Sequence, residues 1–381
     1  MKIGFLIRYF NKGMGGAENN CYYLAKELAK NKDNEVHIFC SDKADGEETI
    51  DGIKVHRCRE TLKLTYYLAF YPSLTKKLLS YDLDILHVHG FGFIQNDLSI
   101  KKLKRKNPGL KIICTPHGPF MALKNYNLFA KTLKTIYVMM IRRNLKIYNK
   151  IIQVNPYQKE WLKNDYHIDN KKIVFLPNGI SEEAFTQTSK DALNALKDRY
   201  SLKNKFVISY LGRIQDYKGI DQIIKILPEL KKLNSKIVFL AIGKDAGDLS
   251  RLKELAKTLN VENSVIFTGE VSEEEKYGLL DLSEIFIFPS EWEAFGIVVL
   301  EAMAKKNALL STKTEGGRYL IKKENGFLFD YQNTNQLLKV SKKLIADSKL
   351  RRKMQNNNFK KSKNFLWDKI AKDLFRIYLD L

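Results

Sequence analysis

Short apolar runs alternate, along almost the whole chain, with longer segments in which apolar residues recur every three or four positions. The short runs predict buried strands, and the longer segments predict amphipathic helices. In the first part of the chain the predicted strands span 2–9, 35–40, 53–57, 84–89, 111–115, 151–155 and 172–176. The predicted helices span 17–31, 66–80, 93–106, 128–148 and 157–164. Strands that alternate with helices predict a parallel sheet with helices on both faces.

The same alternation begins again after LPNGI, residues 176–180. The predicted strands there span 206–212, 236–242, 264–268, 285–288 and 308–311. The predicted helices span 219–232, 249–259, 273–280, 295–304 and 335–346, with a last amphipathic helix over 366–381. This predicts two doubly wound α/β domains, 1–178 and 179–362, and a closing helical segment, 363–381.

The charge is strongly positive and unevenly distributed. The net charge is +22, residues 1–178 hold 30 Lys and Arg against 16 Asp and Glu, and no acidic residue occurs from Leu98 to Lys159. Such a field attracts phosphates, whether on nucleic acid, anionic lipid or a small substrate. A general preference for lysine explains the total charge as well, since Lys outnumbers Arg 52 to 13, but explains the acid-free segment less well.

The sequence lacks the marks of an exported or membrane-spanning chain. Its longest apolar runs, such as 136–141, are shorter than the ~20 residues that cross a bilayer. The start, MKIGFLIRYF, predicts a first strand and not a signal peptide. Four cysteines without a CxxC pair predict buried, reduced thiols and a cytoplasmic location.

The stretch KGMGGAEN, residues 12–19, follows the first predicted strand and opens a helix. Glycines there let backbone N–H groups approach a phosphate, and a helix N-terminus favours an anion. Two other interpretations stay open. One is a dinucleotide fingerprint, which begins at Gly13-Met14-Gly15 and has Asp42 near the end of the second strand, but has Glu18 where the third glycine belongs. The other is a plain tight turn.

Histidines follow two of the predicted strands. His117, in ICTPHG, lies where α/β folds place ligands and can donate hydrogen bonds to a sugar or a phosphate. A packed histidine is the alternative. His87 and His89, in HVHG, share one face of a strand, but no third metal ligand is evident.

Two cations follow the predicted strand 206–212 in YLGRIQDYKGID, residues 210–221. Arg213 and Lys218 lie in a glycine-bounded loop before a helix. Arginine binds an anion through its planar fork, and lysine acts as a point charge. The pair therefore suits a diphosphate, and solvated loop charges are the alternative.

The stretch EWEAFGIVVLE, residues 291–301, carries a carboxylate near each end. A helix that begins near Phe295 places Glu293 in the preceding loop and Glu301 about 12 Å further along the axis. Carboxylates accept hydrogen bonds from vicinal hydroxyls, and the N–H groups around Phe295 and Gly296 suit phosphates. The stretch thus predicts acceptors for two sugars with a phosphate site between them.

Together these motifs resemble those of retaining glycosyltransferases of family 4, which have the GT-B fold. The motifs that carry the resemblance are GGAE, TPHG, LPNGI, GRIQDYKGID and EAFGIVVLEAM. The resemblance covers essentially the whole chain, and the E-x7-E element with its upstream Arg and Lys is the specific part. It implies two Rossmann-like domains that face a central cleft. The acceptor docks mainly on the first domain, the nucleotide sugar binds the second, and the last helix crosses back to the first.

The resemblance also implies residue roles. Arg213 and Lys218 bind the diphosphate, Glu293 contacts the transferred sugar, and Glu301 contacts the ribose. The implied catalytic residues are Arg213, Lys218, Glu293 and His117, the last at the reaction centre. The implied donor-binding residues are Gly15, Gly16, Arg213, Lys218, Glu293, Phe295, Gly296, Ile297 and Glu301.

Two segments depart from the family pattern. KKNALLS, residues 305–311, stands where family members often carry GTPVV. The next loop, TEGGRYLIKKENGFLF, keeps Gly316 and Gly317 but lacks the usual Pro-Glu, so no donor contact is assigned to it.

The implied reaction moves a hexose-type sugar from a nucleotide diphosphate sugar to a hydroxyl of a glycan or lipid-linked acceptor in cell-surface glycan synthesis, with the anomeric configuration kept. No carboxylate is placed as a covalent nucleophile, and the resemblance implies front-face attack, in which the leaving diphosphate helps to take the acceptor proton. Arg213 and Lys218 stabilise the leaving diphosphate, so we expect no metal and no cofactor. The alternatives are a GT-B phosphorylase, a nucleotide-sugar epimerase and a non-enzymatic polyanion binder. No nucleic-acid motif is present, and no nucleic-acid partner is expected.

The acid-free segment raises a further hypothesis, contact with an anionic membrane surface that carries the acceptor at the inner face of the cell membrane. Apolar residues recur there at helical spacing: Phe129, Leu133, Ile136, Tyr137, Met140, Ile141 and Tyr148. A helix packed on its own sheet is the alternative.

Overall fold

The chain divides into two compact units. The computed structural model describes residues 1–11, 15–119 and 128–381. The first unit comprises Met1–Asn178 and Trp367–Leu381, and the second comprises Gly179–Leu366. The acceptor and donor roles assigned to these domains stay a prediction.

The first unit is built on an eight-stranded sheet and a short separate hairpin. Its strands are β1 (Lys2–Leu6), β2 (Glu35–Asp42), β3 (Gly46–Ile50), β4 (Ile53–Arg59), β5 (Leu62–Lys63), β6 (Ala69–Phe70), β7 (Ile85–His89), β8 (Lys111–Thr115), β9 (Lys150–Gln153) and β10 (Ile173–Phe175). Its first helices are α1 (Gly16–Ala29), α2 (Ser73–Ser80), α3 (Ile94–Lys106), α4 (Leu128–Leu145) and α5 (Gln158–Asn164).

The sheet of the first unit has the strand order β10-β9-β8-β7-β1-β2-β4-β3. All described pairs are parallel except β3 with β4, so the helices that connect the strands cover both faces. The strands are apolar on both faces for this reason, and Ile3, Phe5 and Ile112 are fully buried. The strand order reverses between β1 and β7. In open α/β sheets this position forms a crevice at the carboxyl ends of the strands.

The second unit contains a fully parallel six-stranded sheet. Its strands are β11 (Phe206–Leu211), β12 (Ile237–Ile242), β13 (Val265–Gly269), β14 (Ile285–Phe288), β15 (Ala308–Thr312) and β16 (Gly326–Phe329). Its helices are α6 (Lys190–Arg199), α7 (Asp221–Leu233), α8 (Leu249–Thr258), α9 (Glu273–Asp281), α10 (Ile297–Ala304), α11 (Glu315–Leu320), α12 (Thr334–Ala346) and α13 (Ser348–Ser362). The strand order β13-β12-β11-β14-β15-β16 reverses between β11 and β14.

The last helix, α14 (Trp367–Leu379), belongs to the first unit. Its apolar residues recur at helical spacing, and Trp367, Ile370 and Leu374 are buried. Trp367 stacks on Tyr23 of α1, with 5.5 Å between ring centroids. The C-terminal segment therefore completes a core that the first 178 residues leave open.

Several predicted elements differ from those observed. Helix α2 begins at Ser73 and not at residue 66, because residues 62–70 form the β5–β6 hairpin and Pro72 precedes the helix. The segment read as a loop, TEGGRYLIKKENGFLF, contains α11 and β16. Helices α6 and α13 and strand β3 were missed because none has a strong apolar face or alternation. In α13 a buried Asn358 contributes to packing by donating hydrogen bonds to Asn307 O and Asn325 O.

The apolar residues of 129–148 that were predicted to contact a membrane are partly buried and partly exposed in the structure. Ile141 and Tyr148 are buried in the core of the first unit, so for them packing on the sheet is correct. Ile136 and Met140 are exposed. The side chains of Phe129 and Leu133 lie outside the described part of the chain.

Candidate active site

The loops that follow β11 and β12 approach each other closely. Gly212 and Gly243 have φ of 146° and 137°, and a Cβ on Gly243 would lie 2.2 Å from the carbonyl oxygen of Gly212. The Ile214 N–H donates to Lys244 O (2.9 Å), which joins the loops further. Only glycine permits the two loops to approach this closely. The approach leaves the carboxyl end of β11 accessible to the residues that follow the strand.

Lys218 is buried at the point where the strand order reverses. It ends a short 3-10 helix, Asp216–Lys218, that Gly219 terminates with φ 66°. Its Nζ lies 3.0 Å from Oε2 of Glu293 and above the rings of Tyr217 (4.8 Å) and Phe288 (5.4 Å). Burial lowers the pKa of Lys218, but Glu293 and Tyr217 outweigh it and raise the pKa overall. Lys218 therefore stays charged, and it connects the ends of β11 and β14.

Arg213 differs from Lys218 in its surroundings. Its side chain is exposed, and its guanidinium makes no ion pair or hydrogen bond with any residue that the structure describes. Its carbonyl oxygen accepts from the hydroxyl of Tyr210 (3.0 Å), which fixes the backbone. The guanidinium fork is thus available to an anion.

The segment from Glu293 to Gly296 is held by helix α11. Gly316 N donates to Glu293 O (3.1 Å), and a Cβ on Gly316 would lie 2.2 Å from the carbonyl oxygen of Phe295. Gly296 has φ 86°, and helix α10 begins at Ile297, two residues later than predicted. Val299 N donates to Gly296 O (2.9 Å), so the N–H groups of Ile297 and Val298 are those that precede the first helical hydrogen bond of α10. Gly316 and Gly317 belong to the loop that lacks the usual Pro-Glu of the family. They thus position the segment from Glu293 to Gly296 without it.

Glu301 is buried on α10 and paired with a residue that the sequence did not single out. Lys276 Nζ on α9 lies 2.7 Å from Glu301 Oε1 and 2.7 Å from Glu273 Oε2. Burial raises the pKa of the Glu301 carboxyl, and the cation opposes this rise. Glu301 and Glu273 raise the pKa of Lys276 above its usual value although burial lowers it. No pattern in SEEEKYGLL signals this pairing, which depends on the packing of α9 on α10.

The three histidines at the carboxyl edge of the first unit form a stack. His89 Nδ1 lies 2.9 Å from His117 Nε2, and the ring centroids of His87 and His89 are 4.6 Å apart. His87 bonds to the hydroxyls of Tyr378 on α14 (2.7 Å) and Thr115 (2.8 Å). The strand pair His87 and His89 is therefore engaged in hydrogen bonds within the protein.

His117 is partly buried and has a left-handed backbone, with φ 60°. Such a conformation is costly for a residue with a side chain and is seen where the surroundings impose it. Burial lowers the pKa of His117 and of His87 to about 3. His89 Nε2 is buried and has no hydrogen-bond partner among the residues that the structure describes. The stack is therefore neutral and offers hydrogen bonds instead of charge.

Gly15 and Gly16 stand at the start of α1, and residues 12–14 lie outside the described part of the chain. Gly15 is extended, and a Cβ on Gly16 would meet nothing within 4 Å. Asp42, the ribose ligand of the dinucleotide alternative, pairs with Arg57 (2.6 Å). The role of the two glycines in closing over phosphates stays a prediction.

Three features of the described residues bear on metal binding, thiol chemistry and membrane spanning. No group of three or more His, Cys, Asp or Glu side chains there is placed to hold a metal ion. All four cysteines are free and buried, and burial raises the pKa of each thiol. No helix in these ranges is both long and apolar enough to cross a membrane.

Comparisons with known proteins agree with this arrangement. Residues 14–184 match the family model Glycosyltransferase Family 4, and residues 194–361 match Glycosyl transferases group 1. An uncharacterised glycosyltransferase of Methanocaldococcus jannaschii is 26% identical over 99% of this chain and 98% of its own. The Saccharomyces cerevisiae phosphatidylinositol N-acetylglucosaminyltransferase GPI3 subunit is 24% identical over 100% of this chain and 83% of its own.

Solved structures are similar in fold. Sucrose-phosphate synthase from Thermosynechococcus elongatus has a TM-score of 0.80 at 18% identity, over 100% of this chain and 98% of that one. The Anabaena protein HepE, solved with UDP and glucose, has a TM-score of 0.79 at 17% identity over 100% of both chains. The predicted GT-B fold, two domains with parallel sheets, is confirmed.

Proposed function

We propose that this chain, which belongs to the family 4 glycosyltransferases, moves a hexose-type sugar from a nucleotide diphosphate sugar to a hydroxyl of a glycan or lipid-linked acceptor. The anomeric configuration is kept. The class of enzyme follows from the family, whereas the donor, the acceptor and the stereochemistry are proposals.

The bridge between Lys218 and Glu293 supports this proposal most directly. An ammonium group has three N–H donors, and the pair at 3.0 Å occupies one of them. Tyr217 engages a second donor, so one remains for a phosphate oxygen, while the nearby carboxylate accepts from a sugar hydroxyl. One ion pair, buried at its lysine and half-buried at its carboxylate, thus serves both sides of the bond that breaks.

The bond between the sugar and the diphosphate breaks with negative charge developing on the phosphate. Arg213 and Lys218 stabilise that charge together with the first N–H groups of α10. These cations do the work of a metal, so the reaction needs neither a metal nor a cofactor. The acceptor attacks on the face that the diphosphate leaves, and the diphosphate helps to take its proton.

The other candidate residues also divide into a donor side and an acceptor side. Glu301, paired with Lys276 at 2.7 Å, accepts hydrogen bonds from the ribose hydroxyls. His117 serves the acceptor side through a neutral imidazole, and Gly15 and Gly16 close over the phosphates. We place the enzyme in the cytoplasm, at the inner face of the cell membrane, with a lipid-linked acceptor. UDP is the first nucleotide to test, since the related HepE was solved with it.

A nucleotide panel tests the proposal. UDP, GDP, ADP and their common sugar conjugates are screened by thermal shift, because a ligand that binds only the folded state raises the melting temperature. One nucleotide family should stand out, and its sugar conjugate should release the nucleotide in the presence of a hydroxyl acceptor. NMR of the product should show the donor's anomeric configuration, with and without EDTA.

Three results would contradict the proposal. If no nucleotide raises the melting temperature, the donor site is wrongly assigned. Sugar phosphate formed from a glycan and orthophosphate indicates a phosphorylase. A changed sugar without transfer indicates an epimerase.

A further inference from the structure

Exposed apolar side chains are concentrated on one part of the first unit. Of the ten large apolar side chains that are exposed among the described residues, seven lie on the β5–β6 hairpin, α3 and α4. Leu62, Leu64 and Tyr66 belong to the hairpin, and their exposed fractions are 49%, 61% and 50%. Scattered exposed leucines are normal on any protein, but clustering is not.

Helix α4 supplies the largest share of the cluster. Ile136, Met139 and Met140 are about half exposed, whereas Val138, Ile141 and Leu145 on the opposite face are buried in the core. The helix therefore has two apolar faces, of which the protein covers one. Leu98 on α3 completes the set, which we call the apolar face: Leu62, Leu64, Tyr66, Leu98, Ile136, Met139 and Met140.

The three segments are joined by direct contacts. Tyr67 in the hairpin turn lies 6.3 Å from Tyr137 of α4 and 5.2 Å from Phe93 at the start of α3, measured between ring centroids. Asn144 of α4 donates to Asp97 of α3 (2.8 Å). The apolar face is therefore carried by one connected set of elements.

The exposed charged side chains of these three segments are all basic. Lys63, Lys102, Arg105, Lys131 and Arg143 are exposed on the same three segments. Asp97 is the single acidic residue of the hairpin, α3 and α4, and Asn144 engages its carboxylate. Exposed apolar side chains next to lysine and arginine complement a surface with an apolar interior and anionic headgroups, which is an anionic bilayer.

We propose that the apolar face docks the enzyme on an anionic membrane, with Ile136, Met139 and Met140 of α4 entering the headgroup region and the basic side chains binding lipid phosphates. This deepens the proposed function, because it names the surface on which a lipid-linked acceptor is met. Methionine suits this role, since its flexible side chain adapts to an irregular surface.

Vesicle co-sedimentation with the full chain tests the proposal. The vesicles are phosphatidylcholine with and without phosphatidylglycerol, at low and high salt. Wild type should bind the anionic vesicles and release in high salt. Met139→Gln/Met140→Gln should weaken binding on the order of tenfold, because two apolar side chains no longer leave water.

Each control variant removes as many apolar or charged side chains as the variant with which it is matched. Leu233→Gln/Leu379→Gln removes two equally exposed apolar side chains elsewhere and should bind vesicles like wild type. Lys131→Gln/Arg143→Gln should weaken binding to anionic vesicles by about tenfold. Arg352→Gln/Lys353→Gln, which removes the same charge from α13, should change it less than twofold.

The proposal is overturned if neutral and anionic vesicles bind equally, or if the variants and their controls lose binding alike. It is also overturned if sedimentation velocity shows that the methionine pair mediates a dimer and vesicles do not bind, since a second copy then covers the face. Calorimetry with UDP on the same samples keeps the two proposals apart. Failure of nucleotide binding with intact vesicle binding would remove the donor site alone.

Discussion

The two units put different electrostatics at equivalent places. Each has a sheet whose strand order reverses near its centre, and each places polar side chains at the carboxyl ends of the strands there. In the second unit the buried Lys218 pairs there with the half-buried Glu293, and the buried Glu301 of α10 pairs with the half-buried Lys276 of α9. In the first unit they are the stacked histidines, including His117.

The difference shows how burial acts with and without a partner. Desolvation alone favours the neutral form of any group. Lys218 and Lys276 each have a carboxylate within about 3 Å, and the pKa of each is raised in spite of burial. In the described part of the first unit no carboxylate pairs with His117, and burial lowers its pKa to about 3. One site therefore keeps fixed charge, and the other offers neutral hydrogen bonds.

The largest expected effect is on stability in mild acid. All six histidines belong to the first unit, and the pKa is lowered to about 4 at His37 and to about 3 at His87 and His117. Below about pH 6.5 the unfolded chain takes up protons that these folded histidines refuse. The stability of the first unit should therefore fall as the pH falls, by up to about 1.4 kcal/mol per histidine per pH unit.

Carboxyls with a raised pKa act in the opposite direction, since the folded form takes up the proton first. Asp97, with its pKa raised to about 6, offsets part of the loss in the first unit, and Glu301 has the same sign in the second. Hydrogen exchange from about pH 7 to about pH 5, corrected for intrinsic rates, should show protection falling in residues 1–178 and persisting in 179–366. Equal losses in both units would refute the contrast.

The next largest effect concerns Lys218. Lys218→Met removes the cation from the leaving diphosphate and leaves the half-buried carboxylate of Glu293 without its partner. Turnover should fall by about a thousandfold or more, because preorganised charge at the leaving group is lost. Lys232→Met, which breaks the exposed pair with Glu229, is the matched control and should stay within twofold. A similar fall in both variants would mean general destabilisation.

The next prediction concerns His117, which belongs to the histidine stack of the first unit. His117→Ala should lower turnover by about a hundredfold, the scale of a lost proton-handling or hydrogen-bonding group. Nucleotide affinity, measured by calorimetry, should change only a few-fold, because the donor groups belong to the second unit. Comparable losses in turnover and affinity would show that the histidine maintains the fold or the donor site.

The two glutamates should separate sugar from nucleotide. Glu301→Ala should weaken both the free nucleoside diphosphate and the intact donor by about ten- to a hundredfold, the value of hydrogen bonds to a charged acceptor. Glu293→Ala should leave the bare diphosphate nearly unaffected and weaken the full donor, since only the donor carries the sugar. Calorimetry with both ligands decides the matter, and equal effects on the bare diphosphate would reject these roles.

The smallest expected effect concerns Lys276. Lys276→Met leaves the buried Glu301 carboxyl without the cation that opposes the rise of its pKa, so this pKa should rise further. Nucleotide affinity of this variant should then increase severalfold from about pH 6 to about pH 8. Wild type and Lys276→Arg should show no such dependence. A flat profile in the methionine variant would exclude a role for the pair in keeping Glu301 ionised.

Much of the fold could be predicted because its strands are local patterns. Strand β14 was predicted with its observed bounds, and β11 within one residue, because a buried parallel strand is apolar on both faces. Helix α13 could not be predicted in this way, since polar Asn358 lies buried on its packed face and no apolar stripe marks it. Residues 66–70 of the β5–β6 hairpin were predicted as the start of a helix, because YYLAF suits either structure until its pairing partner is known.

The sequence by itself determined the order of the elements and which residue types stand where strands end. Arg213, Lys218, Glu293, Glu301 and His117 were all identified this way, because motif spacing is a property of the chain. Only the tertiary structure decided the electrostatics of these groups. Whether a buried lysine or histidine keeps its charge depends on a carboxylate within a few ångströms, and the pairs Lys218–Glu293 and Lys276–Glu301 join residues 75 and 25 positions apart. No local pattern encodes such a distance.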